Sequence, residues 1–144
     1  MKRLAAVSLQ TPVRLAADQA FRAPKDLVQE VVRMKGHQAE QKEAALLAMC
    51  QRSLSTGRVI VFCDRKLRAH RIRVLFGLAG LPPAAELHGN MAQEDRLMSL
   101  EKFRKGEVKF LICTDVAARG LDILGVETVV NFDAPKQIET YLHR

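Results

Sequence analysis

Val59-Ile60-Val61-Phe62-Cys63, VIVFC, is five apolar residues in a row with no polar position to turn toward water. A strand with one wet face alternates in polarity, whereas an unbroken β-branched run belongs to a strand covered on both faces, which is the habit of parallel sheets flanked by helices. Phe110-Leu111-Ile112-Cys113 repeats the pattern 51 positions later. These two runs set the expected fold class: α/β, a parallel sheet flanked by helices.

Between and around them the period changes from two to three or four. Upstream, Leu46, Leu47, Cys50 and Leu54 share one helical face, after a polar stretch from Gln38 to Glu43 and before Ser55 to Gly57. Downstream of VIVFC, Ala69, Ile72, Phe76 and Ala79 do the same, with Lys66, Arg68, Arg71 and Arg73 turned elsewhere and Gly80 stopping the helix ahead of Pro82 and Pro83. Ala84 to Leu87 reads as a short strand. Asn90 and Gln93 stand at the spacing of a capping box, and Leu97, Leu100 and Phe103 give the next helix its apolar stripe up to Gly106. A last strand is expected over Thr128 to Phe132 and a helix from Gln137 to Arg144. Leu27 to Met34 is read as a first strand.

Composition bounds the function. A chain of 144 residues that is 48% hydrophobic suits one domain, and 23 Lys+Arg against 16 Asp+Glu leaves a formal charge of +7, which favours a polyanionic partner such as nucleic acid. Cys50, Cys63 and Cys113 lie far apart without metal-ligand spacing, so no metal site is expected and a reduced, intracellular protein is. No apolar stretch approaches the ~18 residues of a membrane span, and no membrane partner is expected.

The polar clusters all follow strands: Asp64, Arg65 and Lys66 after VIVFC, His88, Gly89 and Asn90 after AAEL, Thr114 and Asp115 after FLIC, Asn131 and Asp133 at the last strand. In an open parallel sheet, ligands bind beyond these carboxyl ends. There is no GxxxxGK[ST] loop and no GxGxxG, so the chain cannot cradle a nucleoside triphosphate alone, and a dinucleotide enzyme is disfavoured.

Five segments, VIVFCDRK (59–66), HGNMAQEDR (88–96), TDVAARGLDI (114–123), VVNFDAP (129–135) and YLHR (141–144), resemble in order and spacing the motifs of the second RecA-like domain of DEAD-box RNA helicases. VSLQTPVR (7–14) and FCDRKLRAHR (62–71) are most similar to the nucleolar subfamily that acts in large-subunit ribosome assembly. The resemblance implies RNA-backbone contacts by Arg65, Lys66, Gly89, Asn90 and Thr114, braced by Gln93 and Arg96. Arg65 departs from the family, where threonine is usual. It further implies an ATP contact by Asp122, with Gly120 allowing close backbone approach.

Asp115 and Arg119 either tie this loop to neighbouring motifs or serve as a helix cap and a surface ion pair. His88 and His143 read as hydrogen-bonding spacers, because no paired carboxylate or nucleophile accompanies them. His143 and Arg144 open the family's HRxGRxxR motif, whose later arginines resemble fingers on the ATP γ-phosphate and do not follow here, so the chain alone is expected not to hydrolyse ATP. Residues 1–26 are similar to the tail of a first RecA-like domain plus a linker, which accounts for this Arg- and Ala-rich stretch better than a transit peptide interrupted at Pro12 does. Residues 27–144 form the second domain. ATP, with magnesium held by the other lobe, RNA, the N-terminal lobe and pre-ribosomal proteins are the implied ligands, and the nucleolus the implied location. The alternatives are a non-catalytic RNA- or protein-binding lobe and a DNA translocase.

Overall fold

The computed structural model describes residues 26–34, 41–54, 57–118 and 123–144. Their elements run α1 (Lys42–Arg52), β1 (Val59–Cys63), α2 (Lys66–Leu78), β2 (Ala84–Leu87), α3 (Gln93–Arg104), β3 (Phe110–Thr114), α4 (Asp115–Ala118), β4 (Thr128–Asn131) and α5 (Ile138–His143). The four strands form one sheet in the order β2-β3-β1-β4, with every neighbouring pair parallel. The α/β expectation holds, and its cause is visible. β1 and β3, the two continuous apolar runs, are buried at all five positions and lie side by side in the middle, with Val59 opposite Phe110 and Cys63 opposite Thr114.

Because strand side chains alternate, each run feeds two cores. Val59, Val61, Cys63, Phe110 and Ile112 point to one face, where Leu46 and Cys50 of α1 and Ala69, Ile72 and Phe76 of α2 cover them. Ile60, Phe62, Leu111 and Cys113 point to the other, where Leu100 and Phe103 of α3 meet them with Ala85 and Leu87 of β2. Phe76 and Phe110 meet edge to face at 4.9 Å. All three thiols are buried and unpaired, and burial pushes Cys50 up to about 11 and Cys63 to about 12. Gly80 closes α2 at φ 65°, where the Leu81 N–H returns to the Phe76 carbonyl at 3.0 Å.

Three expectations need correction. Leu27 to Met34 forms no strand: Val28 is 84% and Val31 82% exposed. Its apolar residues come in adjacent pairs, Leu27-Val28 and Val31-Val32, so no single face could be buried. The capping box fails as well, because α3 starts after Ala92 with no side-chain cap and Asn90 sits in the preceding turn. Glu94 and Asp95 in the first turn complement the helix dipole instead. Leu97, placed in the apolar stripe, is 52% exposed, while Leu100 and Phe103 are buried. Residues 1–25 of the expected tail and linker, residues 38–40 of the polar stretch and Ser55 lie outside the described residues.

Candidate functional site

Parallel pairing carries the carboxyl ends of all four strands to one rim, and the polar clusters go with them. Along this rim lie Gly89 and Asn90 after β2, Thr114 at the end of β3, Arg65 and Lys66 after β1, and Asn131 and Asp133 at β4. Gly89, Asn90, Arg65 and Lys66 are exposed, whereas Thr114 is 9% exposed. Gln93 and Arg96 start α3, where the Arg96 guanidinium donates to Gln93 Oε1 at 3.3 Å. Arg96 Nε and His88 Nδ1 are buried without a hydrogen-bond partner among the described residues, so His88 is no spacer at that atom. Arg119, Gly120 and Asp122 lie outside the described residues.

Two charged hubs hold the rim together. The Arg144 side chain, only 3% exposed, forks onto Asp115, Nε to Oδ1 at 2.6 Å and Nη2 to Oδ2 at 2.8 Å. Its Nη1 donates to Asn131 Oδ1 and to the Asp133 carbonyl, each at 2.7 Å, and the guanidinium stacks 4.9 Å from the Phe62 ring centre. Asp115, the first residue of α4, is thus tied to the end of α5. Arg144 spends its donors inside the lobe. His143 is exposed.

The second hub is Asp133. Its Oδ1 accepts Arg68 Nη1 at 2.6 Å and Lys42 Nζ at 3.0 Å, and its Oδ2 accepts the Asp64 backbone N–H at 3.0 Å. Lys42 and Arg68 also lie over the Phe132 ring. Burial by itself would push the Asp133 carboxyl up; the bonds from Arg68, Asp64 and Lys42 outweigh it and hold it at about 2. The helical spacing only turned Arg68 away from the apolar face and gave Lys42 no role. The charges that meet at Asp133 are 65 and 91 residues away along the chain, a separation that no local pattern reveals.

A pH effect follows. The unfolded carboxyl titrates near 3.8 and the folded one near 2, so on acidification the unfolded chain takes the proton first. The contribution is complete above pH ~4 and fades as pH falls toward ~2, a loss of about 2 kcal/mol. Urea titrations at pH 5 and pH 2.5 should show this loss in the parent and a shallower one in Asp133→Asn; equal slopes would mean that the carboxylate contributes nothing.

Between the ends of β1, β3 and β4 opens a cavity of about 410 Å³, lined among others by Asp64, Arg65, Asp115, Pro135, Gln137 and Arg144. Its volume lies in the range of small-ligand pockets. The model of the "Helicase conserved C-terminal domain" family matches residues 41–144, the whole of this sheet and its helices. This chain belongs to that helicase family.

The DEAD-box resemblance is borne out by its relatives. The chain is 54% identical over all 144 residues to DEAD-box ATP-dependent RNA helicase 28 of Arabidopsis thaliana and 51% identical over 142 residues to ATP-dependent RNA helicase drs1 of Aspergillus fumigatus. It spans 18% and 17% of their lengths. Among solved structures, the Escherichia coli DEAD-box protein SrmB, bound to regulator of ribonuclease activity A, superposes with a TM-score of 0.67 at 38% identity, over 74% of this chain and 61% of that one. Saccharomyces cerevisiae Dbp5 bound to RNA and ADP BeF3 superposes with a TM-score of 0.66 at 31% identity, over 74% and 28%. As a helicase C-terminal domain, the chain presents Gly89, Asn90, Thr114, Arg65 and Lys66 on one rim, and Arg144 appears within it as an internal clamp on Asp115.

Proposed function

We propose that this chain is the C-terminal lobe of an ATP-dependent DEAD-box RNA helicase that binds the RNA backbone and completes an ATP site for unwinding or remodelling in nucleolar ribosome assembly. The observation that carries the reading is the common rim, where the loops after β2, β3 and β1 bring Gly89, Asn90, Thr114, Arg65 and Lys66 to one edge. Contacts of this kind go to phosphates and fix a strand's position without reading its bases, so binding is sequence-tolerant and weakens steeply with salt. The relative whose solved structure holds RNA and ADP BeF3 supports this choice of ligands, and the ribosomal setting rests on the resemblance of residues 7–14 and 62–71 to the nucleolar subfamily.

The nucleotide site is shared. ATP when bound supplies a ligand that both lobes grip, with magnesium held by the N-terminal lobe. From this chain, Asp122 accepts the ribose hydroxyl and Gly120 lets the backbone come close. Arg144 keeps Asp115, the first residue of α4, in place. Lobe closure would then complete the RNA surface and reopening release it. Pre-ribosomal proteins are the further partners of this reading.

The test separates the two ligands in the intact helicase. Asp122→Ala should raise KM for ATP about tenfold or more, the worth of a hydrogen bond to a charged group, and leave ATP-free RNA binding unchanged. Thr114→Val should weaken RNA binding about tenfold or more, the worth of a hydrogen bond to a charged phosphate, and leave KM for ATP unchanged. Equal loss of both ligands in either variant would show the assignment to be wrong.

A further inference from the structure

Asp133 belongs to neither group of proposed contacts, yet it touches the supports of both. Its own N–H donates to the Phe62 carbonyl at 3.2 Å, which extends the β4 to β1 pairing one step past the strand. Its Oδ2 then receives the Asp64 N–H, standing in for the backbone acceptor that the ended strand no longer supplies. Its Oδ1 holds Arg68 in the first turn of α2. That helix starts after Arg65 with no side-chain cap; the Arg65 carbonyl accepts the Arg68 and Ala69 N–H groups at 3.1 Å, and Arg65 Nε lies 3.4 Å from Asp64 Oδ2. Asp133 pins Asp64 and Arg68, the residues on either side of Arg65 and Lys66. On the opposite side the Asp133 carbonyl receives Arg144, which clamps Asp115, the residue after Thr114.

We propose that Asp133 is a positioning residue for RNA binding: its carboxylate sets the loop after β1, its carbonyl helps set the junction of β3 and α4, and the two are thereby held at one spacing. A strand of RNA has a fixed phosphate repeat, so two contact groups help each other only if their separation is right before binding. The inference rests on the RNA reading above. It adds that the phosphate contacts of Arg65 and Lys66 depend on a carboxylate that never meets RNA.

Asp133→Asn makes the test sharp. An amide offers one acceptor oxygen and an NH2 that only donates, so it cannot accept from Arg68 and Lys42 on one side and from the Asp64 N–H on the other. Binding of the intact helicase to a fluorescent oligouridine is measured by anisotropy across a salt series, with and without Lys66→Ala in the same chain. Asp133→Asn should weaken binding about tenfold and flatten the salt dependence by about one phosphate contact. Lys66→Ala should then cost less in the Asp133→Asn background than alone, because its contact is already lost.

Hydrogen exchange should quicken at residues 64–68 while the β1 and β3 amides stay protected. Should Asp133→Asn not fold, Arg68→Met, which removes the bond from the Asp133 carboxylate to the first turn of α2 while leaving the Lys42 and Asp64 bonds, should show the same non-additivity with a loss of about threefold. An unchanged salt slope with fully additive losses would overturn the proposal and leave the RNA reading standing. Failure of the unmodified helicase to bind oligouridine would overturn the RNA reading and this inference with it.

Discussion

Phe110→Ala should lower the stability of this lobe by about 4 kcal/mol, the range for a fully buried phenylalanine replaced by a methyl. Phe110 opens β3, is wholly buried, and pairs in register with Val59 on one side and Ala84 on the other. Its ring meets Phe76 of α2 edge to face, an arrangement worth about 1 kcal/mol beyond the area buried. Deleting it opens a void where the sheet meets α2, and β-strand backbones cannot close in to fill it without breaking register. A domain of this size has roughly 5–15 kcal/mol to lose, so the variant should be partly unfolded at 37 °C. Urea unfolding followed by circular dichroism should show a lower midpoint with an unchanged slope. A loss below about 1 kcal/mol would mean that the first core is not centred on this ring pair.

Arg144→Ala should cost about 2 kcal/mol, less than the loss of one partner from a fully buried charged pair, because the Asp115 side chain is 30% exposed. The cost comes from what is left behind. Asp115 keeps a carboxylate whose only cation among these contacts has gone, and Asn131 and the Asp133 carbonyl lose their shared donor. Arg144→Lys should recover only part of the loss, since an ammonium cannot fork onto a carboxylate or stack flat on Phe62 as the guanidinium does. Thermal melts of the three proteins decide it. Equal stability of Lys and Arg at this position would show that charge alone matters there, and an alanine variant as stable as the parent would remove Arg144 from the account altogether.

The strands were readable where burial on both faces left only one interpretation. VIVFC and FLIC could be nothing else, and the motifs that follow them had to share an edge once the sheet was parallel. Leu27 to Met34 shows the limit of that logic, since β-branched content makes a strand only where a face can be buried, and its paired valines offer none. Asn90 shows another limit: the spacing to Gln93 was right for a cap, yet the helix begins later, at a residue with no capping oxygen. The rim residues were legible as a set, because each sits just after its strand. The hubs that hold them were not, because Lys42, Arg68 and Asp133 meet only through the folded sheet.

The three native thiols lie under the sheet and its helices with their protons held far above neutral pH. A maleimide dye attacks the thiolate of an accessible cysteine, so it would pass over all three. One cysteine introduced at an exposed site such as Lys105 would therefore be the one thiol of this domain to take a fluorophore, without first stripping the domain of its own sulfur.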